Sequence, residues 1–386
     1  MSYKSFEFSL KTDYVFTENA AEALKGQLER YKPAKPFVIT SDARFKVVGQ
    51  VKEMLEEMGL PYVLRTDCMS NPTSDFVNEC AAQATAEGCD FLIGIGGGSV
   101  IDASKTTALL IANPTEGGIW DYVSFAKEPA NPALPIGLVV TIPSTGSESN
   151  PSAVISNVAL NAKQTYTQDS LRPTFSITSP ELTYTLPAYP AACGVTDIMS
   201  HLLEQYLHND THVDVTDGML LGVIKGVVKW GPVAIEQPDN YDAKANLLWA
   251  SYLAMSRVLG MGHDENWICH DVEHSISAKF NLAHGAGMAI VMPAYVDMIT
   301  PNDVSGRLAR LSAEVFGQPG RPAGELLREF FAGLGMPTTL AQANIVLTEE
   351  DIQECAAKSL PWGTITLAGY EPFDTDSACR LLRQIG

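Results

Sequence analysis

Histidine is missing from the first 200 residues of this chain, and all seven histidines lie between His201 and His284. Imidazole chemistry is therefore closed to the N-terminal half, and any histidine site must be built from one stretch. Paired cysteines are lacking too. The seven, at positions 68, 80, 89, 193, 269, 355 and 379, include no C-x-x-C, which argues against a disulfide framework and for a reducing compartment. No Lys/Arg-rich run occurs, and 26 basic against 45 acidic residues give a net charge of −19, which disfavours nucleic acid and anionic membrane surfaces as partners. The N-terminal MSYKSFEFSLKTDYVF lacks the apolar core of a secretory signal, and no run approaches the roughly 18 apolar residues of a membrane span. A cytoplasmic, freely diffusing protein is expected. Neither G-x-G-x-x-G nor G-x-x-x-x-G-K-[ST] is present, so the usual dinucleotide fingerprint is absent and nucleoside triphosphate hydrolysis is not expected.

What is present concentrates between residues 197 and 284. Asp197 and His201 stand four apart in GVTDIMSHLLEQY, a stretch without internal proline whose apolar residues recur at helical spacing, so both side chains leave one helix face. In WICHDVEHSISAKFNLAHGAG, His270 and His274 repeat that spacing and His284 follows ten residues later. On an unbroken helix His270 and His284 would be separated by roughly 21 Å of rise, so the chain must turn back if both meet one ion. Phe280-Asn281 and the glycines at 285 and 287 are the places for that break. Carboxylate and imidazole are what a borderline divalent cation selects. Asp197, His201, His270 and His284 form the candidate ligand set, although spacing alone does not separate His274 from the others. His208, His212 and His263 are read as bystanders, the first two in a polar turn, LHNDTHVD.

A length of 386 residues suggests two domains. From about 36 to 185, β-rich runs (PFVIT, PYVLR, CDFLIGI, IGLVV) alternate with amphipathic segments, the pattern of an α/β domain with a largely parallel sheet. SDFVNECAAQATAEG reads as a helix capped by Ser74. After FLIGI, Gly96-Gly97-Gly98-Ser99 leads into the helical VIDASKTTALLIAN, so bare N–H groups at a helix N-terminus face outward, a geometry that binds phosphate. A tight strand–helix turn would use the same residues. Asp42, beyond PFVIT, is placed to accept from an adenosine ribose hydroxyl or, alternatively, to cap the following helix. The hydroxyl-rich loop from Thr141 through Ser144 and Thr145 to Asn150 fits a second wall of a dinucleotide site, though a solvated turn has the same composition.

Together, IGGGSVIDASK, the STGSES loop, KQTY with SPELTYTLP, GVTDIMSHLLEQY and H-x-x-x-H-x9-H ending in HGAG resemble the iron-type, or group III, alcohol dehydrogenase family, in the family's order from about 36 to 296. STGSESNPSAVIS and TYTLP are most similar to its butanol dehydrogenase and broad-range aldehyde reductase branch. The resemblance implies an α/β plus all-α chain with the dehydroquinate synthase-like fold: a dinucleotide-binding parallel-sheet domain over 1–186, a helical metal-binding domain over 187–386, and the active site in the cleft. It implies Asp197, His201, His270 and His284 as ligands of Fe²⁺, with Zn²⁺ also suited, and His274 beside the nicotinamide without binding metal. Gly97, Gly98 and Ser99 would hold the pyrophosphate, with Asn71, Thr141, Ser144 and Thr145 lining the adenosine and nicotinamide halves. Lys163 and Leu182 would flank the nicotinamide. The expected reaction is hydride transfer between NAD(P) and small primary alcohols, diols or their aldehydes, with His274 relaying the proton. Around TSDARFKVVGQ the spacing falls between NAD- and NADP-accepting versions of the family, so whether Asp42 occupies the discriminating position stays open; NAD(H) is the expected dinucleotide. A homodimer through the N-terminal domain is the family-level expectation.

Three rival classes are weighed beside this. A metal-dependent hydrolase would leave the Gly96–Ser99 and Thr141–Thr145 loops without a role. A lyase resembling dehydroquinate synthase would need clustered cations, whereas Lys225, Lys229, Lys244, Arg257 and Lys279 are scattered. A non-catalytic dinucleotide-binding scaffold would not require four ligands. Trp267, Phe280, Tyr166 and Met261 are the expected apolar wall of the substrate pocket.

Overall fold

The computed structural model describes residues 4–160, 162–265, 267–360 and 371–386. Residues Ser9–Thr185 form one compact unit; Leu186–Gly386, with the segment ending at Phe8, form the other. The sequence boundary lay at 186/187 with all of the N-terminus in the first domain. Lys4 instead donates its backbone N–H to Gly262 O and pairs with Asp264, which ties the N-terminal segment to the helical unit.

The first unit runs β1 (Asp13–Phe16), α1 (Ala20–Tyr31), β2 (Pro36–Thr40), α2 (Lys46–Glu57), β3 (Val63–Arg65), α3 (Ser74–Ala86), β4 (Phe91–Gly96), α4 (Gly98–Ala112), α5 (Trp120–Val123), β5 (Ile136–Val140), β6 (Ser152–Asn157), β7 (Ala162–Thr167) and β8 (Phe175–Thr178). Six strands pair in parallel in the order β1-β8-β5-β4-β2-β3, while β6 and β7 form an antiparallel hairpin. Alternate residues feed opposite faces, as a strand period of two requires. Val38, Ile93, Val139 and Ile177 pack with Leu24, Leu28, Val47 and Val51, whereas Phe37, Leu92, Leu138 and Val140 pack with Cys80, Ala84 and Ile101. Both faces are thus covered, the condition for a stable parallel sheet. From β2 the chain moves outward to β3, and from β4 it moves the opposite way to β5 and β8. The C-terminal ends of β2 and β4 therefore flank the point where strand order reverses, which is where open α/β sheets bind ligands. Helix α3 is capped by Thr73, whose hydroxyl accepts from Phe76 N, rather than by Ser74, which begins the helix.

The helical unit comprises α6 (Ala188–Tyr206), α7 (Asp214–Glu236), α8 (Tyr241–Met255), α9 (Ile268–Phe280), α10 (His284–Ile299), α11 (Arg307–Glu314), α12 (Ala323–Gly333), α13 (Glu349–Ser359) and α14 (Thr375–Ile385). One contiguous core joins them, with Leu202, Leu220, Ile276, Met288, Tyr295, Phe331 and Leu382 among its buried members. By length and mean hydropathy α7 could cross a membrane, but Lys225 and Lys229 interrupt it, so it is not a continuous apolar run of the kind the sequence was expected to lack. Its Leu220, Leu221, Ile224 and Val227 are buried in the helical core. Its outer face carries Gly222, where an added Cβ meets nothing within 4 Å. Gly222→Ala is expected to stabilise the chain by about 0.5–1 kcal/mol, because alanine loses less backbone entropy in a helix and no contact opposes it; unchanged or lower thermal unfolding would contradict this.

His208 departs from the polar-turn reading. It is fully buried, stacks on His263 with ring centroids 3.9 Å apart and lies 3.6 Å from the Asp217 carboxylate, which Arg307 pairs at 2.6 Å. Burial pushes His208 down to about 4 despite Asp217, so it is held neutral inside the fold. His212 is exposed in the left-handed region, φ 66°.

Candidate metal centre and dinucleotide site

Asp197, His201 and Glu204 fall on one face of α6 at i, i+4 and i+7, and His270, Glu273 and His274 share a face of α9. Between α9 and α10 the chain reverses where the break was expected. Asn281 ends α9 in the left-handed conformation at φ 51°, and α10 begins at His284. Gly285 explains how that helix start reaches α6. A Cβ at 285 would stand 2.4 Å from the carbonyl oxygen of Cys193, one turn before Asp197, so only glycine lets the two backbones approach this closely.

The result is a convergence of the four predicted ligands. The Nε2 atoms of His284, His201 and His270 lie 3.4, 3.5 and 3.8 Å from a single oxygen, Asp197 Oδ1. Four donors held about 2.1 Å from one tetrahedral ion stand roughly 3.4 Å from one another. The buried His270 Nε2 has no hydrogen-bond partner among the described residues, as a ligand atom facing an ion would not. Geometry and donor chemistry therefore fit a divalent metal. The side chains of Asp197, His201 and His270 are 2%, 5% and 10% exposed and that of His284 24%, so the cluster opens beside His284.

Electrostatics are divided among the histidines. Burial pushes His201 down to about 3. Burial also opposes the charged form of His270, but Glu204 and Asp197 flank its two nitrogens and on their own raise it to about 10; a metal ion at Asp197 would displace the Nε2 proton. His284 is raised, against burial, by Glu273 and Asp197. Burial alone would raise the Asp197 carboxyl, yet His201, His270 and His284 hold it well below the ordinary carboxylate range. Sequence reading missed Glu204 and Glu273, both 0% exposed. Their signal was available in D-x3-H-x2-E and H-x2-E, acids on the faces that carry the histidines.

His274 is half-buried, with its ring 5.2 Å from that of His284 and 6.2 Å from that of His270. Its ligating atom lies within 4.8 Å of those of Glu273 and His284, so proximity alone does not set it apart from the metal cluster. Of the expected wall residues, Trp267 stands edge-on to His270 at 5.5 Å, while Met261 accepts from Thr216 through its carbonyl. Phe280 packs against the helical core, and Tyr166 is a core residue of the first unit beside Phe125.

In the first unit the predicted dinucleotide residues follow the C-terminal ends of the strands, apart from Lys163, which lies within the β6-β7 hairpin beside Ser156. Gly97 caps α4 without a side-chain bond, which leaves the N–H groups of Gly98 and Ser99 for a ligand, while Val100 N donates back to Gly97 O. None of Gly96, Gly97 and Gly98 needs positive φ; their smallness matters instead. A Cβ at 98 would lie 2.5 Å from Thr145 Cγ2 and one at 97 would lie 2.9 Å from Ile142 Cδ1, so the Thr141–Thr145 loop rests on the glycine turn. Asn71, at φ 54°, donates its N–H to Ser99 Oγ at 3.3 Å and brings the β3 loop to the same turn. Leu182 is partly buried against the core around Leu24 and Ile177.

The loop beyond Thr145 is not a solvated turn. Ser147, Glu148, Ser149 and Asn150 are buried, and a fully buried Lys105 holds them by donating to the carbonyls of Ser147, Asn150 (3.0 Å) and Ser152 (2.7 Å). Asp102 accepts from Ser147 Oγ at 2.7 Å and from Val154 N at 3.0 Å. Burial pushes Lys105 down to about 7 against the pull of Asp102 and Glu148, while three carbonyl acceptors favour the charged form, which alone has three N–H donors. A lone lysine among the small and apolar residues of α4 was the available signal.

Asp42 does not cap α2, which starts at Lys46 behind Phe45 with no side-chain cap. Its carboxylate instead takes the Arg44 guanidinium at 2.6 Å and the Arg44 N–H at 2.8 Å, which lowers it to about 2.

Comparison with known proteins agrees with this architecture. Residues 11–180 match the model of the iron-containing alcohol dehydrogenases, and residues 191–386 match the C-terminal model of the Fe-containing alcohol dehydrogenase family. The chain belongs to the iron-containing alcohol dehydrogenase family. It is 30% identical to NADH-dependent butanol dehydrogenase A of Clostridium acetobutylicum, over 98% of this chain and 99% of that protein. To the NADPH-dependent aldehyde reductase YqhD of Escherichia coli it is 28% identical, over 87% and 88% of the two chains. The crystal structure of NADH-dependent butanol dehydrogenase A from Thermotoga maritima superposes with a TM-score of 0.92 at 28% identity, covering 100% of this chain and 99% of that one.

Proposed function

We propose that this chain interconverts small primary alcohols or diols and their aldehydes by hydride transfer with a nicotinamide dinucleotide, assisted by a divalent metal. The observation that carries the reading is the meeting of three imidazole Nε2 atoms at one buried carboxylate oxygen. Butanol dehydrogenase and aldehyde reductase relatives support the substrate class. A divalent ion supplies a Lewis acid for the alcohol or aldehyde oxygen, and the dinucleotide supplies the hydride donor or acceptor.

The chain's own residues do the rest. Asp197, His201, His270 and His284 hold the ion, with the more open edge at His284 left for substrate. Gly97, Gly98 and Ser99 present N–H groups to the pyrophosphate, Asn71, Thr141, Ser144 and Thr145 line the dinucleotide, and Lys163 and Leu182 flank the nicotinamide. Trp267 excludes water on one side of the cluster. His274 passes the proton toward solvent, a role suited to an imidazole beside but not within the ligand set.

Fe²⁺ is the proposed ion, on the family's character, and the same donors accept Zn²⁺. NAD(H) is the proposed dinucleotide, supported by Asp42 beyond β2 and by NADH-dependent relatives. Asp42→Gly is expected to lower the NADH over NADPH ratio of kcat/KM by about tenfold, since a carboxylate there accepts from the 2′-hydroxyl and repels a 2′-phosphate; an unchanged ratio would leave Asp42 serving Arg44 alone. A homodimer is proposed, supported by exposed Leu10 and Phe16 at the edge strand β1. A reducing, cytoplasmic setting is proposed on seven unpaired cysteines.

The test is anaerobic oxidation of NADH and of NADPH with butyraldehyde by the full-length chain, loaded with Fe²⁺ or Zn²⁺. Metal-dependent oxidation, faster with NADH, is expected. No oxidation of either dinucleotide under any loading would overturn the reading.

A further inference from the structure

Two of the three histidines at Asp197 share a feature that the third lacks. His270 turns Nε2 toward Asp197 and gives Nδ1 to Glu204 of α6; His284 turns Nε2 toward Asp197 and gives Nδ1 to Glu273 of α9. His201 Nδ1 has no hydrogen-bond partner among the described residues. Both glutamates are completely buried, and a buried carboxylate persists only where it is paired and hydrogen-bonded.

Glu204 is fixed by further hydrogen bonds and Glu273 by packing alone, its Oε1 having no hydrogen-bond partner among the described residues. Glu204 Oε1 accepts the N–H groups of Cys269 at 2.6 Å and His270 at 3.3 Å, so the carboxylate that takes the ring also holds the first turn of α9. Glu273 lies in a niche left by Gly287, where a Cβ would come within 2.5 Å of Oε1. The glutamates thus sit on rigid helices that bring one histidine from α9 and another from α10 to the carboxylate on α6.

We propose that Glu204 and Glu273 are the positioning residues of the metal centre, each fixing one histidine with its proton on Nδ1 and its Nε2 lone pair free for the ion. The proposal rests on the ligand assignment above. An ionised carboxylate can only accept, so it requires the Nδ1–H tautomer, the form that leaves Nε2 able to ligate. At 204, where backbone N–H groups hold the other oxygen, a glutamine reverses this. Its amide N–H donates to Nδ1 and drives the proton to Nε2, the atom that faces Asp197, while the amide oxygen of residue 204 can still accept from the start of α9.

The experiment compares the full-length chain with Glu204→Gln, Glu273→Gln and His270→Ala, measuring Zn²⁺ affinity by competition with a chromophoric chelator. Imidazole nitrogen NMR on histidine-labelled protein reports the tautomers. Each glutamine variant is expected to fold as the wild type does and to bind Zn²⁺ about 10–100-fold more weakly, and Glu204→Gln, whose amide oxygen is held by the N–H groups of Cys269 and His270, to move the proton of His270 from Nδ1 to Nε2. His270→Ala is expected to lose Zn²⁺ at concentrations that saturate the wild type. If His270→Ala loses the ion while both glutamine variants keep wild-type affinity and Glu204→Gln keeps the wild-type tautomer, the positioning role is overturned and the ligand set stands. If His270→Ala binds Zn²⁺ as well as the wild type, the ligand assignment itself falls and takes the proposal with it.

Discussion

His284→Asn is expected to leave the fold intact while metal retention is lost and kcat/KM falls by about three orders of magnitude. Asparagine is the informative replacement because its side-chain nitrogen reaches roughly where the histidine Nδ1 stands. The bond to buried Glu273 can survive, so no unpaired carboxylate is left inside the protein. What disappears is Nε2, 3.4 Å from Asp197 Oδ1. With one of the four converging donors gone the ion is held too weakly to be retained, and the several kcal/mol that it contributes to developing charge go with it; a loss of about 4 kcal/mol corresponds to a thousandfold in rate. Metal content of the purified variant, thermal unfolding of its metal-free form and turnover with saturating NADH separate the possibilities. A variant that keeps both its metal and its turnover would remove His284 from the ligand set.

That prediction was accessible from sequence because its elements are local. The i, i+4 spacing of Asp197 and His201, the reversal at Phe280-Asn281 and the glycine turn after FLIGI are each written within a few residues, and the structure brings each to the place expected of it. The parallel sheet was legible for the same reason, since strand and helix periods alternate along the chain. What escaped notice depends on partners distant in sequence. Glu204 matters through His270, 66 residues away, and Lys105 through Ser147, 42 residues away, and no periodicity records such a pairing. His208 was misjudged because its neighbours Asn209 and Asp210 are polar, whereas burial comes from His263 and the helices around them. Asp42 was offered two roles, ribose partner and helix cap. The structure removes the cap, because α2 begins four residues later, and adds a partner, Arg44, that no capping rule anticipates.

Gly285→Ala carries the second large effect, and it acts on stability and metal together. The new methyl would stand 2.4 Å from the carbonyl oxygen of Cys193 and 2.6 Å from its Cα, both backbone atoms within α6, so no side-chain rotation can relieve the contact. Helix α10 must move off α6 or the backbone must bend, at about 3 kcal/mol, the upper part of the usual range for overpacking. For a unit of this size, that lowers thermal unfolding by roughly 6–12 °C. The same displacement draws the adjacent His284 away from Asp197, and a site held less closely than about 0.5 Å loses affinity, so Zn²⁺ should bind at least tenfold more weakly. The sign is opposite to that for Gly222→Ala on the outer face of α7, although both exchanges put the same methyl on a helix. The difference lies entirely in what the methyl meets. Thermal unfolding of the two variants, each with and without Zn²⁺, tests the pair. Gly285→Ala matching the wild type in both measurements would show that the close approach of α10 to α6 is not what delivers His284 to the centre.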